Sequence, residues 1–425
     1  MNHSAIKPAT LDEWLAYIEA LHPKSIAMGL ERVQEVAKRL ELSTQFPIVT
    51  IAGTNGKGST CAILEAIYLR SGYRVGCYAS PHLLRYNERV RINQQNISNE
   101  DLCKAFAAVE TARGDVELTY FEMGTLAAMW HFVKTGLDLA ILEVGMGGRL
   151  DAVNVFDPAC AIVTGVDLDH MEFLGSTREK IGYEKAGIFR AGKPAICGDE
   201  SPPTSLIEYA EKIHANLLLI GRDFKVGKIS NGWQYVTNQD ELRLPNLALH
   251  GDFQLNNAAC AITAIKHLQD VLPVPDASIG VALKTVTLTG RFEKIRSNPD
   301  VIADVAHNPQ AAQSLAHNLQ TTACKGRTLG VLAMLADKDI NGVVKALHPH
   351  ISHWYLADIH NPRGAKAKDL HNMLENTVGK VTSHLFESVG LALQAAYKDA
   401  TKNDRIIVFG SFYTVADAIA DLSLS

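Results

Sequence analysis

The stretch Pro47-Ile-Val-Thr-Ile-Ala-Gly-Thr-Asn-Gly-Lys-Gly-Ser-Thr60 narrows the folds open to this chain more than any other. Its β-branched run, Ile48 to Ile51, predicts a buried strand. A turn with Gly53, Gly56 and Gly58 follows, and then a helix with Ala62, Ile63, Ala66 and Ile67 on one face. Glycines let backbone N–H groups approach phosphate oxygens, and a helix N-terminus favours negative charge. The glycine turn from Gly53 to Ser59 is therefore a candidate phosphate cradle. Lys57 would supply a fixed positive charge, and Ser59 or Thr60 a hydroxyl for Mg²⁺. The spacing before the lysine is shorter than in G-x-x-x-x-G-K-[ST], and a glycine follows the lysine. The competing reading is an ordinary strand-to-helix turn with a surface lysine.

Further apolar runs set the architecture. Arg74–Tyr78, Asp138–Glu143, Cys160–Thr164, Pro194–Cys197 and Leu217–Ile220 read as strands of a mostly parallel sheet. Residues 11–42, 98–112, 121–135 and 251–268 read as helical, and 222–250 as a small antiparallel patch. Near Thr289-Gly290-Arg291 the pattern restarts, with strands at Val301–Val305, Leu329–Met334, Trp354–Ala357 and Arg405–Phe409. A chain of 425 residues is too long for one ordinary core. The expectation is an α/β protein: a P-loop-type, mostly parallel ATPase domain over 1–295, then a smaller Rossmann-like α/β domain over 296–425.

In open parallel sheets, ligands bind outside the carboxyl ends of the strands. Ser80, Glu143, Asp167, Asp169 and His170 fall at such ends. A hydroxyl, a carboxylate and an imidazole converging near Lys57 would hold a cation on nucleotide phosphates. Taken singly, Glu143 also reads as a charged strand terminus and His170 as a loop histidine. Lys185, in Glu184-Lys-Ala-Gly187, reads either as a solvated helix lysine or, carbamylated, as an anionic ligand for a second cation. Arg291 sits at the expected junction, where a hinge ion pair is the other reading. Asp304, His307 and Asn308 follow the second domain's first strand. A nucleotide held between two domains needs contacts from both.

Composition removes other function classes. The chain is 47% hydrophobic and 20% charged, with net charge −5, so neither nucleic acid nor a membrane surface is an expected partner. Seven scattered cysteines without C-x-x-C read as reduced core residues, which favours a cytoplasmic setting. Met1 to Thr10 lacks an apolar signal core, and no run is long enough to span a bilayer. Nothing calls for an obligate dimer, and a monomer is expected.

Taken in order, the motifs resemble the folylpolyglutamate synthase family of the Mur ligase superfamily. They include His22-Pro-Lys24, Gly29-Leu-Glu-Arg-Val33, the glycine loop, Ser80-Pro-His-Leu83, Thr119-Tyr-Phe-Glu122, Leu142-Glu-Val-Gly145 and Gly148-Arg-Leu-Asp-Ala152. They continue with Leu168-Asp-His170, Glu184-Lys-Ala-Gly-Ile-Phe189, Gly290-Arg-Phe292, Asp304-Val-Ala-His-Asn-Pro309, Asp337-Lys-Asp339 and Gly410-Ser-Phe412. Ala79, Met146 and Val153 depart from the pattern without removing a group the chemistry needs.

The resemblance implies an ATP-dependent amide ligase that adds L-glutamate to dihydropteroate and to the γ-carboxylate of reduced folates. It implies Lys57, His170 and Lys185 at the reaction centre. Asn55, Gly56, Gly58, Ser59, Asn257, Arg291 and Asp304 would join Lys57 on ATP. Thr119, Tyr120, Phe121, Glu122, Leu150, Asp151 and Ala152 would hold the pterin, and His307 and Ser411 the glutamate. Ser80, Glu143, His170 and carbamylated Lys185 would hold Mg²⁺ at one or two sites, a monovalent cation also being admissible. Two alternatives remain open at this point: a Mur-type ligase for another carboxylate, and a regulatory P-loop NTPase.

Overall fold

The computed structural model describes residues 8–23 and 27–424. Lys24 of the His22-Pro-Lys24 motif and residues 1–7 lie outside the described residues. The chain divides into two compact units, Met1–Leu247 with Leu255–Val286, and Ala248–Gln254 with Thr287–Ser425.

The first unit is built on eight strands: β1 (Ile48–Ala52), β2 (Val75–Tyr78), β3 (Val90–Ile92), β4 (Gln95–Asn96), β5 (Leu139–Glu143), β6 (Cys160–Val163), β7 (Pro194–Cys197) and β8 (Asn216–Leu219). Their order across the sheet is β4-β3-β2-β5-β1-β6-β7-β8. β2, β5, β1, β6, β7 and β8 run parallel, while β3 and β4 close one edge antiparallel. β1 lies between β5 and β6, and every residue of β1 and β5 is buried. That is why both read as nearly all-apolar runs rather than alternating ones. Register pairs Ile51 with Glu143 and Ala52 with Val163, so the glycine turn and two polar strand ends leave the sheet at the same edge.

The expected antiparallel patch is a three-stranded sheet of β9 (Phe224–Ile229), β10 (Gly232–Thr237) and β11 (Glu241–Leu244). Tyr235 packs within it, and its hydroxyl meets Thr263 Oγ1 at 3.0 Å on the helix Phe253–His267.

The second unit has six strands: β12 (Glu293–Arg296), β13 (Asp300–Asp304), β14 (Thr328–Leu332), β15 (His353–Ala357), β16 (Ser383–Phe386) and β17 (Arg405–Phe409). Their order is β12-β13-β17-β14-β15-β16, parallel except for β12. Ile407, Phe409 and Leu332 pack into one core and Ile406, Val408 and Val331 into another, so the sheet is buried on both faces. The boundary expected near residue 295 falls inside β12, which pairs with β13. The sequence offers only four residues of mixed polarity there, too short a run to mark a strand.

Candidate active site

The glycine turn is fixed at both ends before any ligand arrives. Thr54 N–H donates to Gly165 O at 2.9 Å, and its hydroxyl donates to Asp167 O at 3.0 Å. Thr164 Oγ1 donates to Asn55 O at 2.6 Å. The loop after β1 is thereby tied to the loop after β6. Gly56 caps the helix Lys57–Arg70 with φ 91°, the left-handed region that glycine enters without cost. A Cβ there would collide with the side-chain amide of Asn257, so only glycine lets the turn and Asn257 lie this close.

Lys57 Nζ donates to Gly53 O at 2.9 Å and Thr54 O at 3.3 Å, folding back over its own turn. An open cleft of about 300 Å³, partly exposed to solvent, is lined by Gly53, Lys57, Met146, Asp169, His170 and Lys185. The expected convergence of Lys57, His170 and Lys185 is thus present in one place. Lys185 ends the helix Arg178–Ala186 and is 3% exposed. Burial, and then repulsion from Lys57, lowers its ammonium pKa to about 7. The reading of Lys185 as a solvated helix lysine does not hold.

Glu143, 4% exposed at the end of β5, accepts the Ser80 N–H at 3.2 Å. His170 adopts φ 49°, uncommon for a non-glycine residue, at the start of the short helix Met171–Leu174. Its backbone N–H donates to Asp169 Oδ1 at 2.9 Å. Among the described residues, no group of three or more His, Cys, Asp and Glu side chains is gathered at metal distance. The donors present are a hydroxyl, a carboxylate and an imidazole. That set fits a hard divalent cation which completes its shell with phosphate oxygens and water.

Asp151 is buried, accepting the N–H groups of Met146 at 2.9 Å and Val153 at 3.1 Å. Burial raises its carboxyl to about 7, against the opposing pull of those N–H groups and of Lys57. The loop carrying it is joined to the helix carrying Lys185. Arg149 N–H donates to Glu184 O at 2.7 Å, and Arg149 Nη2 pairs with Glu184 Oε1 at 2.9 Å. Asn154 Nδ2 bridges Arg149 O and Gly187 O. Arg149 and Glu184 stand inside two of the motifs but carry no expected role of their own. Only the fold shows that the two motifs are clamped together.

Thr119 and Glu122, expected at the pterin, carry local structure. They form a reciprocal cap at the start of the helix Tyr120–Thr135, with Thr119 N–H donating to Glu122 Oε2 at 2.7 Å. Glu122 also pairs with Arg32 at 2.7 Å. Phe121 lies against Gly145, leaving no room for a side chain there. Leu150 and Ala152 flank Asp151 in the same loop.

The remaining expected residues belong to the second unit, and two of them, Arg291 and His307, flank Phe412. Arg291 Cζ stands 5.3 Å from the Phe412 ring centroid, and the His307 ring 6.3 Å from it. Asp304 accepts the N–H groups of Phe292 and Ala306, both at 2.8 Å. Burial raises its carboxyl and Arg291 offsets part of that rise. Ser411 Oγ lies 2.7 Å from Thr414 Oγ1.

Comparison with known proteins agrees with this geometry. Residues 51–265 match the Mur ligase middle domain, and residues 290–412 match the Mur ligase, glutamate ligase domain. The chain is 44% identical to the dihydrofolate synthase/folylpolyglutamate synthase of Escherichia coli K12, over 96% of this chain and 94% of that one. The chain belongs to the folylpolyglutamate synthase family of Mur ligases.

Solved structures place the whole fold in that family. E. coli FolC in complex with DHPP and ADP superposes with a TM-score of 0.93 at 42% identity, covering 99% of both chains. A bifunctional folylpolyglutamate synthase/dihydrofolate synthase with Mn, AMPPNP and L-glutamate bound superposes at 0.90 with 42% identity, covering 98% of this chain and 100% of that one. In this folylpolyglutamate synthase fold, the glycine turn, the Asp151 loop and Lys185 share one end of the first sheet.

Proposed function

We infer that this chain is an ATP-dependent ligase that joins L-glutamate to dihydropteroate, forming dihydrofolate, and to the γ-carboxylate of reduced folates. The observation that carries the reading is the cleft holding Lys57, His170 and Lys185 beside the Asp151 loop, in a chain that matches dihydrofolate synthase/folylpolyglutamate synthase along nearly its full length. The bound ligands of FolC and of its relative, ADP, AMPPNP, Mn, DHPP and L-glutamate, are the substrate classes this chemistry needs.

A carboxylate resists attack by an amine because its carbon is shielded by negative charge and lacks a good leaving group. Transfer of the γ-phosphoryl group of ATP to the carboxylate oxygen gives an acyl phosphate. The neutral amine of glutamate attacks its carbonyl carbon, and phosphate leaves as the amide forms. The protein supplies position and charge rather than covalent chemistry.

Asn55, Gly56, Gly58 and Ser59 present the loop and helix start to the phosphates. Lys57, released from its carbonyl partners, follows the transferring charge. Ser80, Glu143 and His170 are the residues that would hold a divalent cation, and such a cation neutralises phosphate charge when bound. Asn257, Arg291 and Asp304 make further nucleotide contacts, and His307 and Ser411 receive the glutamate. The Thr119–Glu122 and Leu150–Ala152 segments hold the pterin, with Asp151 as acceptor for its amino edge.

Lys185 is a fitting site for carbamylation. Its buried amine, with a pKa of about 7, is substantially neutral near neutral pH. The neutral nitrogen attacks CO₂, forms an N–C bond and releases a proton. The product replaces a cation that repels Lys57 with an anion that attracts it.

The test is ADP release with ATP, dihydropteroate and L-glutamate, omitting each in turn. Rapid release is expected only when all three are present, with dihydrofolate formed in equal amount. ADP release that ignores both co-substrates would sink the ligase reading in favour of a regulatory NTPase.

A further inference from the structure

This inference rests on the ligase reading and adds a residue to its substrate site. The half-buried Arg89 ends the turn Tyr86–Arg89. Its Nε donates to His82 Nδ1 at 2.9 Å, and its guanidinium reaches the Tyr78 hydroxyl. Its Cζ stands 5.1 Å from the Tyr86 ring centroid and 5.6 Å from that of Tyr120.

Other arginines of this unit have carboxylate partners: Arg32 with Glu122, Arg91 with Glu65, and Arg113 with Glu110. Arg89 pairs with no carboxylate among the described residues. A guanidinium carries five N–H donors. His82 and Tyr78 take some of them, and no described residue takes the rest. His82 accepts this bond through Nδ1, and a ring nitrogen that accepts carries no proton. The imidazole therefore orients the fork without neutralising it.

Two independent observations point the same way. The Tyr86 hydroxyl is buried with no hydrogen-bond partner among the described residues, seated where Gly124 leaves space for it. A continuous set of rings also leads from Arg89 to the Asp151 loop. Tyr86 and Tyr120 stand 5.6 Å apart, Tyr78 and Phe121 5.8 Å, and Phe121 abuts Gly145.

We propose that Arg89 determines specificity for the heterocycle of the acid substrate: its unused N–H donors engage an acceptor atom of a fused 2-amino-4-oxo ring lying against Tyr120 and Phe121. Such a ring has a donor edge and a carbonyl acceptor. Asp151 suits the first, Arg89 the second. The aromatic faces supply area without discriminating between ring orientations, whereas a fixed donor fork does discriminate.

The experiment is steady-state kinetics of Arg89→Lys and Arg89→Gln with dihydropteroate at saturating ATP and L-glutamate. Thermal unfolding and AMPPNP binding confirm that each variant is folded. Loss of a charge-assisted hydrogen bond made equally in ground and transition states should raise KM for dihydropteroate about tenfold or more. Turnover should stay within about twofold and KM for ATP should not move. Arg89→Lys should fall short like Arg89→Gln, because an ammonium cannot replace the fork. Unchanged KM in both folded variants overturns the proposal. So does a fall in kcat at constant KM, which would place Arg89 at phosphoryl transfer. Wild-type protein that fails to consume dihydropteroate would instead overturn the ligase reading beneath it.

Discussion

Lys185 departs from what stability alone would select. Its amine is buried against Lys57 and its pKa is lowered to about 7 from the ordinary 10.5. A folded pKa below the unfolded one means the lysine's contribution to stability is fully present above the unfolded value and lost as pH falls through the folded one. In CO₂-free buffer, wild-type stability should therefore rise between pH 7 and 10 relative to Lys185→Met. Asp151 has the opposite sign. Its pKa is raised from 3.8 to about 7, so its contribution is present at low pH and lost as pH climbs towards 7. The two effects occupy adjacent windows, which lets the Lys185 window be measured alone. Urea unfolding at pH 7 and 10 should show Lys185→Met more stable than wild type at the lower pH, by on the order of a few kcal/mol, with the gap closing at the higher. The same variant should lose ligation. Equal pH slopes for the two proteins would mean that Lys185 is not carrying a buried charge.

At the scale of elements, the helix Tyr120–Thr135 joins stability to the proposed pterin contacts at one terminus. Thr119 accepts the Glu122 N–H at 3.3 Å and Glu122 accepts the Thr119 N–H at 2.7 Å, so both orphan donors are satisfied by the residues expected to meet the pterin. Thr119→Ala should cost about 1 kcal/mol of stability, read by denaturant midpoint. It should also raise KM for dihydropteroate, because the segment loosens. An unchanged midpoint would show that the cap does not hold the helix start. Much of this level was legible beforehand. β1, β5 and β6 announce themselves because strands buried on both faces must be apolar throughout. β3, β4 and β16 went unread because strands at or beside a sheet edge that are short or half-exposed carry no such run. The glycine turn could be read because its glycines have a backbone reason to be there. The Arg149–Glu184 clamp and the Arg89 cluster could not, because they join residues far apart in sequence through side chains that local pattern does not constrain.

For the whole molecule, the decisive question is where the nucleotide sits, and hydrogen exchange on the intact chain answers it without cutting the protein. Each unit closes its own cores, so stability is not a single number and local protection is the sounder observable. AMPPNP with Mg²⁺ binds only the folded protein. At a ligand concentration 100 times Kd, it should slow exchange through openings that abolish the site by the equivalent of about 2.7 kcal/mol. The expected protection begins at the turn after β1 and the first turn of the helix Lys57–Arg70, whose initial N–H groups have no partner within the helix. Protection is also expected around Arg291 and Asp304, the proposed nucleotide contacts of the second unit. Lys57→Ala should remove both sets together, since one ligand produces both. Protection confined to other segments would deny the phosphate role of the glycine turn. Protection of the turn alone would leave Lys57 and its loop in place and remove Arg291 and Asp304 from the nucleotide site.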